Sequence, residues 1–348
     1  MLPLYLSLAC FVSILTVFTV TPVIKRQALR LGLVDPPNSR KVHQRPMVRL
    51  GGVGVFFGFS LSLLVLWLLG AFSALPPTKE FEVWGVTLGA LAFFLIGLAD
   101  DLLNLPPLVR LVMQIGVATC AWFAGVQIDF LTIPGTGLVS LPDALSLPIT
   151  VVWLVGMANA VNWIDGLDGL AAGVSGIAAL VMLATCLVMH QPAAALVAAA
   201  LAGATLGFLR YNFNPAQIFM GDGGAYFIGF TLAGVGVIGL VKSVTTVAVL
   251  LPYLILAVPI LDMSAVILDR LRSGKSPFIA DKRHLHHRLL KAGLSHRRTV
   301  LFIYSLTLWV GSLALTVSGF PSGLAYAIAT TALVSFTGWK VWRIAREA

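Results

Sequence analysis

Acidic residues are scarce in this chain: 14 Asp and Glu stand against 23 Lys and Arg in 348 residues, and charged residues of all kinds make up only 11%. With 58% hydrophobic residues and no hydrophilic stretch long enough to fold alone, a soluble domain is excluded and one membrane domain over 1–348 is indicated. Cysteine is rare as well. Cys10, Cys120 and Cys186 each fall inside an apolar stretch without metal-ligand spacing, which excludes a disulfide framework and leaves them as small core residues. The first apolar segment lacks a basic region before it, runs past twenty residues and ends at Pro22 before Lys25-Arg26, so it reads as a retained span and not a cleaved signal peptide. No internal repeat is present, and nothing points to a nucleic-acid partner. Gly51, Gly52 and Gly54 miss the G-x-G-x-x-G spacing and follow no soluble strand; they indicate close helix packing, as does the Ala-rich run 193–200.

What the chain has in quantity is long apolar stretches. Eleven of them, at approximately 2–24, 50–71, 81–99, 108–126, 147–163, 170–189, 193–209, 225–241, 244–261, 299–319 and 322–339, are each near the length that a hydrocarbon core requires. The expected fold is an all-α polytopic membrane protein with about eleven transmembrane helices. Placing residue 1 outside puts 21 of the 23 Lys and Arg on the inner side, leaving Lys79 and Lys242, so the positive-inside rule selects an outer N-terminus and a cytoplasmic C-terminus. Ten of the 14 acidic residues and five of the six histidines fall on that same side, the layout of an active-site cleft at the cytoplasmic surface. The net charge of +9, concentrated there, suits anionic lipid headgroups or an anionic substrate. Among outer loops, Gln127 to Leu147 alternates around Pro134-Gly135-Thr136-Gly137 and predicts a short hairpin.

Four inner segments carry chemistry. Asp100-Asp101 ends one span, where two carboxylates oppose the helix dipole and each other and require a cation or proton; one is expected to face the cleft and the other a neighbouring helix. In Asn159-Ala-Val-Asn162-Trp-Ile-Asp165-Gly-Leu-Asp168-Gly169, Gly166 and Gly169 let the backbone leave the helix so that Asp165 and Asp168 turn back toward Asn159 and Asn162. Two carboxamides and two carboxylates this close to hydrocarbon are costly, which favours function over a merely solvated turn. Asp222 lies among Gly221, Gly223 and Gly224, either as a plain helix cap or as a carboxylate projecting into a pocket. In the loop 262–298, a helix over 281–291 would put His284, His287 and Arg288 on one face, with His286 pointing away. Without cysteine, and among Arg and Lys, these histidines suit phosphate better than zinc. Arg40, Lys41, His43, Arg45 and Arg49 form a second basic segment, a membrane anchor or a phosphate contact.

Carboxylates and carboxamides suit Mg²⁺, with Mn²⁺ as the alternative ion, while His, Arg and Lys suit phosphate oxygens; together they point to phosphoryl transfer. In this order, Asp35-Pro-Pro-Asn-Ser-Arg-Lys-Val-His43 with Gly51-Gly52, Asp100-Asp101, the segment Asn159 to Asp168, Met220-Gly-Asp222 and His284-Leu-His286-His287-Arg288 make the chain resemble the polyprenyl-phosphate N-acetylhexosamine-1-phosphate transferases. The histidine segment is similar to the branch that uses UDP-N-acetylglucosamine; the peptidoglycan branch, which takes UDP-N-acetylmuramoyl-pentapeptide, typically carries three consecutive histidines after a proline.

The resemblance implies that undecaprenyl phosphate or another polyprenyl phosphate attacks a UDP-N-acetylhexosamine, releasing UMP and priming a surface polysaccharide at the inner membrane. It implies Asp222 and Asn162 as metal ligands, Asp100 or Asp101 as the group that binds or deprotonates the lipid phosphate, and Asp165 and Asp168 as orienting the nucleotide, with Asp168 near the uridine. His43, Asn159, His284, His286, His287 and Arg288 would complete the substrate contacts. Two departures stand out. Arg110 occupies the place of a usual Lys, and Gly-Asp-Gly-Gly-Ala replaces the commoner Gly-Asp-Thr-Gly-Ser while keeping Asp222. A transporter would carry its carboxylates near the bilayer midplane, and a non-catalytic scaffold would be expected to have a broken motif; neither feature occurs. Homodimerisation is compatible with the sequence, which locates no interface.

Overall fold

The structure is a computed structural model that describes residues 1–34, 46–73, 75–133, 137–241, 246–274 and 283–347. His43, with Arg40, Lys41 and Arg45, lies outside the described residues, as does Asp281.

Apolar composition and length give the helices in order: α1 (Leu2–Arg30), α2 (Gly51–Leu68), α3 (Pro77–Leu103), α4 (Pro107–Phe123), α5 (Asp143–Ile164), α6 (Leu170–Val188), α7 (Pro192–Asn212), α8 (Gly221–Val235), α9 (Thr246–Ile255), α10 (Ala257–Arg272), α11 (Leu285–Lys291), α12 (His296–Val317) and α13 (Gly323–Glu347). α8 continues through a π-helical turn to Leu240. Between α4 and α5, β1 (Phe130–Ile133) pairs antiparallel with β2 (Gly137–Ser140), Phe130 opposite Ser140, which is the hairpin expected from the alternation there.

The chain is thus an all-α polytopic membrane protein with a small hairpin. Among the described residues eight helices are long and apolar enough to cross a membrane, or nine if α9 and α10, bent by 74° at their junction, make one broken span. Of the eleven expected spans, 108–126 corresponds to α4, short at 17 residues. The stretch 322–339 corresponds to α13, where Thr330, Thr331, Ser335 and Thr337 dilute the apolar run.

Small residues decide how the bundle packs. α8 is buried except at Asp222, set among α2, α3, α5, α6 and α7. A methyl added at Gly97 of α3 would come within 2.4 Å of the Asp222 carbonyl, and one at Gly52 of α2 within 2.3 Å of the Gly224 backbone. The Gly51-Gly52 pair therefore does serve close packing, and it also extends the backbone pairing: the N–H groups of Gly51 and Gly52 donate to the Phe219 and Met220 carbonyls at 2.8 and 2.7 Å, and the Phe219 N–H donates to Val48. The Ala-rich run behaves in the same way. α7 is buried along its length, and Ser13 of α1 donates to the Ala200 carbonyl at 2.8 Å. Cys186 is buried and Cys10 half-buried, but Cys120 is exposed on α4, on the face turned away from the bundle. The reading of Cys120 as a core residue is therefore corrected: Arg110 and Gln114 mark the inward face of α4, and Cys120 lies off that face with the exposed apolar residues.

The polar ends converge. The C-terminal ends of α3, α5 and α7, the N-terminal end of α8 and the start of α12 meet at one end of the bundle, tied by Asp101 to the α8 amides, Asn162 to Asp222, Asn212 to Gly169 and Arg297 to the Asn214 carbonyl.

Filling the contact between α3 and α8 should be far more damaging than filling lipid-facing space. Gly97→Val is expected to lower stability by about 1–3 kcal/mol, as overpacking does. Gly116→Val on α4, where an added methyl meets nothing within 4 Å, should leave it unchanged. Thermal transitions of the two purified variants in one detergent check this.

Candidate active site

The site begins with a helix terminus. The first N–H groups of any helix lack intrahelical acceptors and carry partial positive charge. At α8 two of them are met by a side chain from another helix: Asp101 Oδ1 accepts the Asp222 N–H and Oδ2 accepts the Gly223 N–H, both at 3.0 Å. Asp101 is 2% exposed and so committed to this role, while Asp222, in the first turn of α8, does not cap its own helix. Of the two sequence readings of Asp222, the plain helix cap is the one that the geometry removes. Gly221 has φ +77°, and a side chain there would strike the Arg49 carbonyl; glycine is what allows the chain to turn into α8 against residue 49.

Around Asp222 the charges are dense. Asn162 donates its amide to Asp222 Oδ1 at 2.8 Å. Arg49 approaches that oxygen at 3.7 Å and Asp101 at 3.9 Å, and Arg110 lies 3.7 Å from Asp222 Oδ2. Arg110 also forms a close ion pair with Asp100, whose other oxygen accepts the Leu105 N–H at 2.9 Å just beyond α3, where Asn104 adopts a left-handed conformation at φ 52°. The adjacent aspartates thus divide their work as their roughly 100° helical offset predicts: Asp101 holds α8 and Asp100 holds Arg110. Asp165, just past the end of α5, completes the acidic group. Burial first and the nearby Asp222 carboxylate second push its pKa up to about 7, against the opposing charge of Arg49.

Two expected members stand elsewhere. Asp168 does not turn back toward the asparagines; its Oδ2 accepts Asn214 Nδ2 and the Ala216 N–H, both at 3.0 Å, and so pins the loop between α7 and α8. Gly169, at φ +80°, redirects the chain into α6, and its N–H is taken by Asn212. Asn159 donates to Gln114 of α4 and to the Val155 carbonyl, both at 2.8 Å, and only Asn162 of the pair reaches Asp222. The two asparagines therefore do not act on one ligand, because three residues of helix already separate their directions by about 60°.

The histidine segment also differs from expectation. The helix starts at Leu285, so His284 is its N-cap and not part of its face. His284 Nδ1 lies 2.8 Å from Asp262 Oδ2, and the Leu285 N–H donates to Asp262 Oδ1 at 2.7 Å. His286, expected to point away, is the most buried of the three at 1% exposed; its ring stacks on His284 at 5.7 Å and abuts Gly166. Burial, then the neighbouring His287 and His284, hold its pKa down to about 3, so it is neutral. Arg288 is exposed and donates to the Arg283 carbonyl. Asp262 opens the inner segment 262–298 in the sequence but was given no role there, although a carboxylate inside the apolar run of α10 is itself a signal. Gln114, an isolated amide, gave none, and Asn214 stood in the segment Asn212 to Asp222 without a role of its own. Arg49 was visible only as one of five basic residues.

Does this donor set suit a divalent cation? Among the described residues no three His, Cys, Asp or Glu side chains converge to hold a metal by themselves. Asp222 and Asp165 nevertheless offer oxygen donors, and four carboxyl groups, Asp100, Asp101, Asp165 and Asp222, crowd against two guanidinium groups, so that the raised pKa of Asp165 reflects a crowding that a cation would relieve. That is a fit to Mg²⁺, which takes one or two carboxylates and fills its remaining positions with water and substrate phosphate.

Comparison with known proteins agrees with this chemistry. The profile of glycosyl transferase family 4 matches residues 83–240, which hold Asp100, Asp101, Asn162, Asp165 and Asp222. A probable undecaprenyl-phosphate N-acetylglucosaminyl 1-phosphate transferase of Bacillus subtilis is 36% identical over 300 residues, covering 85% of this chain and 80% of its own. The decaprenyl-phosphate N-acetylglucosaminephosphotransferase of Mycobacterium tuberculosis is 37% identical over 332 residues, covering 87% and 79%. An undecaprenyl-phosphate alpha-N-acetylglucosaminyl 1-phosphate transferase of Yersinia pestis is 28% identical over 338 residues, covering 93% and 89%. With two such relatives above 30% identity over most of their length, and a matching profile over the acidic site, the chain belongs to glycosyl transferase family 4, among the polyprenyl-phosphate sugar-1-phosphate transferases.

Proposed function

We propose that this chain, acting as one transmembrane domain of about eleven spans with its site at the cytoplasmic face of the inner membrane, transfers N-acetylglucosamine-1-phosphate from its UDP-sugar to undecaprenyl phosphate. An oxygen of the lipid phosphate bonds to the β-phosphorus, the bond from that phosphorus to the bridging oxygen breaks, and UMP leaves with the electron pair. The product is a polyprenyl-diphosphate sugar that primes an envelope polysaccharide. The observation that carries this reading is the placement of Asp222 at the amide end of α8, among Asp100, Asp165, Asn162 and two arginines, at the polar end of a membrane bundle. The names of the relatives, each an N-acetylglucosaminyl phosphotransferase, support the choice of sugar.

Mg²⁺ bound at Asp222, with Asp165 and the Asn162 amide alongside, supplies neutralisation of the diphosphate charge. Because Asp101 spends both oxygens on the α8 amides, it is a positioning residue. Asp100 also has both oxygens engaged, one by the Leu105 N–H and one by Arg110, but Arg110 lies within reach of Asp222 as well; exchange of Arg110 onto the lipid phosphate would free Asp100 to take its proton. Asp165 turns toward the diphosphate and Asp168 orients the loop that meets the nucleotide. His287 and Arg288, the more accessible members of their segment, contact the sugar diphosphate, whereas His284 and His286 support them from behind. His43 and Asn159 are carried as outer substrate contacts.

UMP release by detergent-purified protein given undecaprenyl phosphate and UDP-N-acetylglucosamine tests this. Release should need the lipid and Mg²⁺ and stop with EDTA, and Asp222→Asn should cut it at least ~100-fold, as loss of a charge stabiliser does. No release with any UDP-N-acetylhexosamine from folded protein would refute the reading. Asp101→Asn separates positioning from chemistry. It turns an NH₂ group toward a backbone N–H and should lower stability by about 1–3 kcal/mol together with activity, whereas Asp222→Asn should lose activity with an unchanged thermal transition.

A further inference from the structure

Away from the acidic site, α12 and α13 border a cavity of about 440 Å³ whose wall divides by chemistry. Arg298, in the first turn of α12, and Lys340 and Arg343, near the end of α13, line one part; Leu301, Phe336 and Trp339 line the other. No acidic side chain is among its described lining residues. α12 begins beside the Asn214 loop and α13 runs back toward that end, so the three cations lie at the same membrane surface as the site. Leu301 and Phe336 stand about one turn deeper than Arg298 and Lys340. Leu301, Phe336 and Trp339 are all about half exposed, at 53%, 52% and 52%, so the apolar part of the wall is open to the hydrocarbon of the bilayer, as other apolar faces of the bundle are. Lys340 is held over the Phe336 ring at 4.4 Å, which keeps its charge at the mouth.

Cations at the surface and aromatic and aliphatic walls beneath match an amphiphile with a phosphate head and an acyl body. Basic pockets between transmembrane helices take such headgroups. We propose that the cavity between α12 and α13 is a binding site for an anionic phospholipid of the surrounding membrane, its phosphate on Arg298, Lys340 and Arg343 and one acyl chain along Leu301 and Phe336. No described lining residue comes from α3, α5 or α8, which separates it from the place where the substrate lipid would react.

Native mass spectrometry of the full chain in neutral detergent, titrated with phosphatidylglycerol or phosphatidylcholine, tests the site. Phosphatidylglycerol should bind roughly tenfold or more tightly than phosphatidylcholine. Arg298→Gln with Lys340→Gln and Arg343→Gln should abolish that preference, and Leu301→Trp, which fills the cavity without touching charge, should weaken it. The control Lys25→Gln with Arg26→Gln and Arg30→Gln removes equal charge from the end of α1 and should retain it. Equal loss in both triple variants would reduce the effect to general surface attraction and overturn the proposal. So would displacement of phosphatidylglycerol by equimolar undecaprenyl phosphate, which would make this a substrate site, or by equimolar inorganic phosphate, which would show that the acyl chain contributes nothing.

Discussion

The clasp of Asp101 on the two leading amides of α8 is the interaction on which the rest depends. A helix terminus buried in a membrane bundle has no water to satisfy its N–H groups, and each left unmet would be costly. Asp101 supplies both acceptors from α3. In doing so it fixes the position of Asp222, the next carboxylate, to within the reach of Asn162, Arg49 and Arg110. One side chain thus satisfies the backbone and positions the carboxylate proposed to face substrate.

The apolar body of the protein serves this end. α8 tolerates burial because its faces are lined by glycine and other small residues, and α3, α2 and α5 approach until backbone nearly meets backbone, as Gly97, Gly52 and Gly229 show. Rigidity there is what permits four carboxyl and two guanidinium groups to be held close together at a hydrocarbon boundary. Flexible supports would let the like groups separate, and with them the arrangement proposed to hold a cation would be lost.

Much of this could be read from sequence because membrane insertion imposes a strong pattern. The location of the polar groups at span ends, the Asp100-Asp101 pair and the packing glycines follow from where polar residues interrupt apolar runs, whereas the grouping of Asn162 with Asp222 came only from the family resemblance. Direction within a helix was harder. Cys120 is exposed because the polar residues of its helix, Arg110 and Gln114, face inward and the apolar residues outward, the reverse of a soluble helix. Asp168 and Asn159 share spacing with the acidic group but take partners, Asn214 and Gln114, from distant segments, and no local rule names such partners. His286 was misplaced because the helix begins four residues later than the charge pattern suggested, with Asp262 and His284 setting its start. A carboxylate that caps from another helix is a tertiary event, and for that reason Asp101 could be assigned to the site but not to its role.

The most direct measurement is the position of a metal in the protein. Diffraction recorded at the manganese edge, from crystals grown with Mn²⁺ and UMP, should give one strong anomalous peak at coordination distance, about 2.2 Å, from Asp222 with Asp165 beside it. A peak held by the His284 to His287 segment or by Asp168, with Asp222 still closed on Asn162, would contradict the account.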